Sequence, residues 1–286
     1  MRRIALATSK QYSALTKDDR LLLAPLAERG FHAEAAVWAD PNYRWRECDA
    51  IIIRSCWDYH LRLNEFLAWI ASLEQAGVSV WNQPSLLRWN ADKIYLRDLE
   101  RKGVPIIPTF WGDPAEPDDL PALLRDLNWA QAVIKPRVSA SAHKTRVTSP
   151  SAASQDQELF DELQRGPGVM LQKFMEEVQT AGEWSVMFFA GRFSHAVVKT
   201  AKAGDFRVQD EYGGSTVAQS PPAAVLEAAD RIMNTLAPTP LYARVDGVES
   251  NGQFLLMELE LIEPMLFLNS TPDVPRRFAD ALVAVL

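Results

Sequence analysis

The first 81 residues alternate short apolar runs with helix-like segments, and this alternation restricts the fold more than any other feature of the chain. Arg3–Thr8, Ala33–Trp38, Ala50–Ile53 and Val78–Trp81 read as strands. Asp18–Arg29 reads as a helix ended by Gly30, with Pro25 kinking it or delaying its start. A second helix takes Asn64 as its cap, sets Phe66, Trp69, Ile70 and Leu73 at helical spacing, and stops at Gly77. Strands separated by helices build a parallel sheet covered on both faces. Ligands of such sheets bind beyond the C-terminal strand ends. The loop Arg54-Ser55-Cys56-Trp57-Asp58-Tyr59 follows the strand Ile51–Ile53 directly, so Arg54 and Asp58 are candidate substrate contacts. A plain structural loop around a packed Trp57 is the competing reading.

The pattern changes after residue 88. Asn90 reads as the cap of a helix over Asp92–Lys102, closed by Gly103, and Val104–Thr109 runs extended through its prolines. Gly112–Pro121 is a loop, Gln131–Lys135 a strand, Arg137–Lys144 a loop, Thr145–Thr148 a strand, Gln155–Gln164 a helix and Val169–Phe174 a strand. Trp184–Ala190 and Phe193–Thr200 form a hairpin around Gly191-Arg192. A loop over Asp205–Ser215 holds Gly213-Gly214. A helix over Pro222–Leu236, strands Leu241–Val248 and Phe254–Ile262, and a closing helix over Pro275–Val285 complete the chain. The expectation is an α/β part followed by α+β parts, divided as residues 1–88, 89–170 and 171–286.

Two carboxylates two residues apart, Glu258 and Glu260, share one face of the strand Phe254–Ile262. Arg244 and Asp246 share a face of the strand before it. The face reading Leu256-Glu258-Glu260-Ile262 looks like the floor of a site, with Met257, Leu259 and Leu261 on the other side. If the strands pair, three acids and an arginine converge, and converging carboxylates repel unless a cation lies between them. All-oxygen ligands suit magnesium, which takes a few carboxylates together with nucleotide phosphates. The competing reading is the wet face of an amphipathic antiparallel strand. The connection raises a register problem. Asn251-Gly252 invites a two-residue type I′ turn pairing Ser250 with Gln253, which would face Asp246 with Met257 and turn it away from Glu258. Convergence therefore predicts a three-residue connection with Gly252 as a left-handed bulge residue. Glu249 would then pair with Gln253, Arg244 would lie opposite Glu258, and Asp246 would lie diagonal to it.

Other chemistries find little support. A net charge of −7 argues against a nucleic-acid surface, and any anionic ligand must be held by local cations. Cys48 and Cys56 make neither a disulfide framework nor a zinc site. There is no Walker-type or Gly-x-Gly-x-x-Gly motif, no nucleophile elbow and no HExxH, and His32, His60, His143 and His195 are scattered. No run approaches a membrane span and the N-terminus carries no signal peptide, so the chain reads as a cytoplasmic protein with no membrane or nucleic-acid partner. Its oligomeric state is left open.

An ordered series remains: Lys93; Val133-Ile134-Lys135-Pro136; the small-residue loop Ser139-Ala140-Ser141-Ala142; Gln172-Lys173-Phe174-Met175; Gly182-Glu183; Lys199; Arg207 before Gly213-Gly214; then Arg244/Asp246 and Glu258/Glu260. In this order the last two-thirds of the chain resembles the ATP-grasp superfamily of ligases, which includes D-alanine–D-alanine ligase and bacterial glutathione synthetase. Over its whole length the chain looks closest to the subgroup that includes the cycloserine-forming synthetase. The residues behind that closer match are Arg54–Tyr59, Trp81-Asn82, Trp89-Asn90, Lys93-Ile94-Tyr95-Leu96 and Glu258–Pro264.

The resemblance implies an ATP-grasp fold with a substrate-side N-terminal domain, a lid-like central part and a C-terminal part holding the metal. It implies ATP and magnesium, with manganese as an alternative, and a small amino-acid-like substrate. Lys93 and Lys135 would contact phosphates, and Ser139 and Ser141 would cover them through backbone N–H groups. Gln172, Lys173, Phe174 and Met175 would hold adenine, Glu183 would bind ribose, and Lys199 would join the nucleotide set. Asp246, Glu258 and Glu260 would hold the metal. Glu260 stands where the family usually has asparagine. Arg244 would stabilise the transferred phosphoryl group, Arg207 the carboxylate being activated, and Gly213 and Gly214 would lie by the substrate. The implied reaction is carboxylate activation as an acyl phosphate, ADP release and C–N bond formation. A small-molecule kinase and a non-catalytic ATP-binding module are the alternatives.

Overall fold

A computed structural model describes residues 2–202 and 213–286. Strands β1 (Arg2–Thr8), β2 (Phe31–Val37), β3 (Ala50–Ile53) and β4 (Val80–Trp81) form a parallel sheet in the order β2-β1-β3-β4. Alternate residues of β1 and β3 serve opposite faces. Ala5, Ala7, Ile51 and Ile53 pack on Phe66, Ile70 and Leu73 of helix α2 (Leu63–Gln75). Ile4, Leu6 and Ile52 pack on Leu26 of α1 (Leu23–Glu28) and on C-terminal residues, among them Phe189, Tyr242 and Phe278. The first sheet is thus sealed onto the last part of the chain. Pro25 delays α1, which is preceded by a 3₁₀ turn over Asp19–Leu22. Asn64 lies inside the first turn of α2, and Arg62 occupies the cap position assigned to it.

Two helices follow, α3 (Pro84–Asn90) and α4 (Tyr95–Arg101). Asn90 ends α3 and does not cap α4. The central sheet, ordered β5-β8-β6-β7, joins β5 (Thr109–Trp111), β6 (Ala132–Pro136), β7 (Arg146–Thr148) and β8 (Val169–Lys173). Helices α5 (Leu120–Leu127) and α6 (Ala153–Arg165) cover it through Leu120, Leu124, Phe160 and Leu163. The sequence reading missed α3 and α5. Each is short and begins at or beside a proline, which signals a loop unless it falls in the first helical turn.

A four-residue helix, α7 (Glu177–Thr180), leads into an antiparallel sheet. Its strands are β9 (Glu183–Phe189), β10 (Arg192–Thr200), β11 (Ser215–Ala218), β12 (Tyr242–Ser250) and β13 (Gln253–Glu260), in the order β11-β10-β9-β12-β13. Helix α8 (Ala223–Met233) covers one face with Val225, Ala229 and Ile232, and α9 (Val274–Val285) closes the chain. The β9–β10 turn is Ala190-Gly191, both at positive φ, with Arg192 already paired to Phe189, so the turn lies one residue earlier than expected.

Strand β13 is a sheet edge, and its backbone is satisfied from outside the sheet. Ile107 N donates to Leu256 O (3.0 Å), and Leu256 N donates to Pro105 O (2.9 Å). Tyr95 Oη accepts from Leu259 N (2.9 Å), while Asn90 donates to Leu259 O (2.8 Å) and accepts from Leu261 N (2.8 Å). Asn82 donates to Leu261 O (2.7 Å) and Tyr242 O (2.8 Å). The asparagines of Trp81-Asn82 and Trp89-Asn90 therefore hold the N-terminal half onto the strand that carries the acids.

Candidate active site

Register alone assembles the site. Lys199 pairs with Glu183 across β10–β9, Asp246 with Ser185 across β12–β9, Asp246 with Glu258 across β12–β13, and Arg244 with Glu260. Directly paired residues share a face, as do residues two apart. All seven side chains consequently lie on one face of the sheet.

The hairpin that achieves this differs from the expected one. Ser250 pairs with Gln253 and both turn residues have positive φ (Asn251 52°, Gly252 75°), so the connection is the two-residue turn. Glu249 pairs with Phe254, not with Gln253. The register is restored further along. Gly247 faces Leu256 while Asp246 faces Glu258, leaving Met257 as an extra residue, a β-bulge. The bulge also reverses the expected faces. Leu256 joins Leu259 and Leu261 in the core under α8, while Met257 packs with Met175, Ile107 and Val248.

Ion pairs knit the face together. Arg244 grips Asp246 (Nη2–Oδ2 2.8 Å) and Glu260, and donates through Nη1 to Met265 O (3.0 Å). Asp246 also accepts from Ser185 Oγ (2.5 Å) and lies 3.6 Å from Lys199 Nζ. Burial works against its charge, but Arg244, Lys199 and Ser185 together hold its carboxyl below the usual range. Lys199 meets Glu183 at 2.6 Å. Burial lifts Glu260 to about 7 against the pull of Arg244.

Lys93 and Lys135 lie beside these acids. Lys93 precedes α4, 3.1 Å from Glu258 and 2.8 Å from Ser139 O, so it ties the acid to the 139–142 loop. Arg137, at the root of that loop, pairs with Asp92 at 2.5 Å and accepts Lys93 N at its carbonyl (2.9 Å). Ser141 and Ala142 sit at φ 51° and 54°, the backbone region that glycine occupies most easily. Lys135 donates to Gln172 Oε1 (2.6 Å) and has no ion pair among the described residues. Burial lowers its pKa, partly offset by Glu258 and Glu183. Gln172 is buried, and its Nε2 lacks a partner among the described residues. A cation without a carboxylate beside an orphaned donor fits an anionic, acceptor-rich ligand such as a nucleotide.

Other candidates fall elsewhere. Lys173 is exposed, Phe174 half-buried, and Met175 belongs to the small apolar cluster. Arg54 is fully buried, bonded to Asp19 (2.9 Å) and Pro264 O (2.8 Å) beneath Tyr242, so it pins the end of β3 to the segment after β13. Asp58 accepts from Trp38 Nε1 at 2.8 Å. Gly213 and Gly214 precede β11, and Arg207 lies outside the described residues. Among the described residues no group of three acids, histidines or cysteines is placed to hold a metal, and Arg244, Lys93 and Lys199 pair with the carboxylates. The donors are all oxygen and share one face, which fits magnesium completed by phosphate oxygens better than a dedicated protein cage.

Two residues absent from the sequence-based list stand out, Met257 and Glu263. Met257 joins Met175 in the small apolar cluster only through the bulge, which has no signature of its own. Glu263 lies just past β13, its carboxyl lifted to about 8 by burial and then by Glu260. In the folded, nucleotide-free chain Glu263 thus keeps a proton that it would lose near 4.5 when unfolded. The folded state binds more protons across that interval, so this contribution to stability falls as pH rises from about 4.5 through about 8. Urea unfolding followed against pH is expected to show that decline and to show less of it in Glu263→Gln. An unchanged slope in the variant would contradict the assignment.

Residues 4–82 match the family described as the N-terminal domain of D-cycloserine synthetase DcsG. The cycloserine biosynthesis protein DcsG of Streptomyces lavendulae is 32% identical over 98% of this chain and 97% of its own length. The crystal structure of D-cycloserine synthetase DcsG superposes with a TM-score of 0.88 at 28% identity, covering 99% of both chains. Two ATP-grasp structures share the fold at lower identity. D-alanine–D-alanine ligase from Bacillus anthracis complexed with ATP has a TM-score of 0.73 at 17% identity, covering 99% of this chain and 96% of its own. The ATP-grasp ligase PsnB with Mg and ADP has a TM-score of 0.65 at 16%, covering 99% and 98%. The fold and the charged sheet face thus define an ATP-grasp enzyme of the ligase class. Within that class, the chain belongs to the family of the cycloserine biosynthesis protein DcsG. No helix among the described residues is long and apolar enough to cross a membrane.

Proposed function

We propose that this chain activates a substrate carboxylate with ATP and joins it to a nitrogen of the same molecule, closing a ring. The carboxylate oxygen attacks the γ-phosphorus, the bond to the bridging oxygen breaks, and ADP leaves. The nitrogen then attacks the acyl carbon, phosphate departs, and the nitrogen gives up a proton. The observation that carries this reading is the sheet face on which Arg244, Asp246, Glu258 and Glu260 meet Lys93, with Lys135 left without a carboxylate among the described residues.

In this scheme Lys93, Lys135 and the 139–142 loop hold the phosphates, while Gln172, Met175 and Met257 line the base. Glu183 and Lys199 form a paired wall beside the ribose. Glu258 and Glu260 hold magnesium, with Asp246 chiefly fixing Arg244. Magnesium, when bound, supplies charge neutralisation on the phosphates. Arg244 keeps its charge and meets the negative charge that builds on the transferred phosphoryl group. Arg207 is assigned to the carboxylate. Residues 1–88 would supply substrate contacts, 89–170 the lid and 171–286 the metal face.

Opening the C–N bond of the cycloserine ring gives a linear amino acid ending in an aminooxy group, which makes β-aminooxy-D-alanine the first substrate to test. ADP release, phosphate release and mass spectrometry of the product are measured over this acid and a panel of amino acids. The expected result is equimolar ADP and phosphate with a product one water lighter than the acid. AMP with pyrophosphate would sink the ligase reading. A phosphorylated product without phosphate release would mark a kinase, and binding without turnover a regulatory module.

A further inference from the structure

Glu263 is 9% exposed, yet among the described residues its carboxyl has no ion pair and no hydrogen bond to another side chain, only one from its own backbone N–H. Every other acid of the site face has an ion pair. Asp246 and Glu260 have Arg244, Glu183 has Lys199, and Glu258 has Lys93. A buried carboxylate left unpaired is costly, whereas an apolar side chain there would pack at no such cost.

Its position indicates what could complete it. Trp57 Nε1 donates to Glu263 O (2.9 Å) and Arg54 Nη2 to Pro264 O (2.8 Å), so residues 263–264 abut the loop at the C-terminal end of β3. That end of a parallel sheet is where ligands bind. On the other side the carboxylate feels Glu260, Lys93 and Glu258, so it stands between the substrate loop and the phosphoryl-transfer face. Cys56, Tyr59 and Tyr242, which also feel it, are buried and carry no positive charge. Of the nearby cations among the described residues, Lys93 is held by Glu258 and Ser139, and Arg54 by Asp19 and Pro264 O.

We propose that Glu263 receives the α-ammonium group of the substrate and so determines specificity for an amino acid over the corresponding des-amino acid. This rests on the ring-closing reading above. The ammonium would supply the missing cation and fix the carboxylate carbon of the same molecule toward Arg244. No bond is made or broken at Glu263.

The test compares β-aminooxy-D-alanine with 3-aminooxypropanoic acid, which lacks only the α-amino group, in wild type, Glu263→Gln and Glu263→Asp. Wild type is expected to favour the amino acid by about 10- to 100-fold in kcat/KM, as for a hydrogen bond to a buried charge. Glu263→Gln should lose most of that preference through KM for the amino acid. Its rate on the des-amino acid and its KM for ATP should change by less than about 3-fold. Glu263→Asp should regain part of the preference, and calorimetry on the ADP complex should show D-cycloserine bound more weakly by Glu263→Gln in the same proportion. Thermal unfolding checks that the variants fold. Equal losses on both acids, or an unchanged preference, would overturn the assignment of Glu263 alone. Absence of ADP release from wild type with either acid would overturn the ring-closing reading, and this inference with it.

Discussion

Glu258→Gln is expected to lose nearly all turnover, while Glu260→Asn keeps a measurable part. The two acids are neighbours on one strand, but their surroundings differ. Among the described residues Glu258 is tied only to Lys93, itself a phosphate-binding candidate, and its side chain stays 30% exposed. Glu260 is clamped by Arg244, and an asparagine oxygen can still accept that guanidinium bond. A metal ligand beside the transferred phosphoryl group contributes several kcal/mol of transition-state stabilisation, so its loss costs on the order of 1,000-fold or more in kcat. Losing one charge from a site that retains its oxygen costs less. The measurement is kcat against magnesium concentration for both variants. Near wild-type kcat for Glu258→Gln at saturating magnesium would show that the metal is held elsewhere.

Much of this site was legible because spacing carries it. Glu258 and Glu260 two apart, and Arg244 and Asp246 two apart, already demand shared faces. The strand–helix alternation before residue 82 already demands a parallel sheet. What spacing does not carry is any local device that changes register. Asn251-Gly252 invites the two-residue turn that forms, but the convergence of the acids argued for a three-residue connection, and turn and convergence are reconciled only when one residue bulges. A bulge at Met257 depends on how three strands and the 105–107 segment pack together, and no residue type announces it. The roles of Asn82 and Asn90 were hidden for a similar reason. A cap and a bond to the edge of a distant strand use the same side-chain atoms, and only the tertiary fold brings β13 to within hydrogen-bond reach of both asparagines.

Gly247 is the one residue whose identity the bulge does require, and Gly247→Ala is expected to unmake the site. A Cβ at this position would run into Leu255 O and come within 2.5 Å of Phe254 Cζ. The first obstacle is backbone of the paired strand and cannot rotate away. Relief needs β12 and β13 to separate or shift at the point where Gly247 faces Leu256 and Asp246 faces Glu258. Overpacking in a closed core costs about 1–3 kcal/mol, and the loss of ladder bonds places this variant at or above the top of that range. A displacement of about 1 Å between the acids is enough to lower kcat/KM by roughly 100-fold. Gly252→Ala is the control. Gly252 has φ +75° but open space around it, so the substitution adds about 1 kcal/mol of backbone strain with no shift in register. Urea unfolding and kcat/KM measured side by side should therefore separate the two glycines: both variants are destabilised, and only Gly247→Ala loses activity. If Gly247→Ala matches Gly252→Ala in both measurements, then the bulge does not set the spacing of Asp246, Glu258 and Glu260.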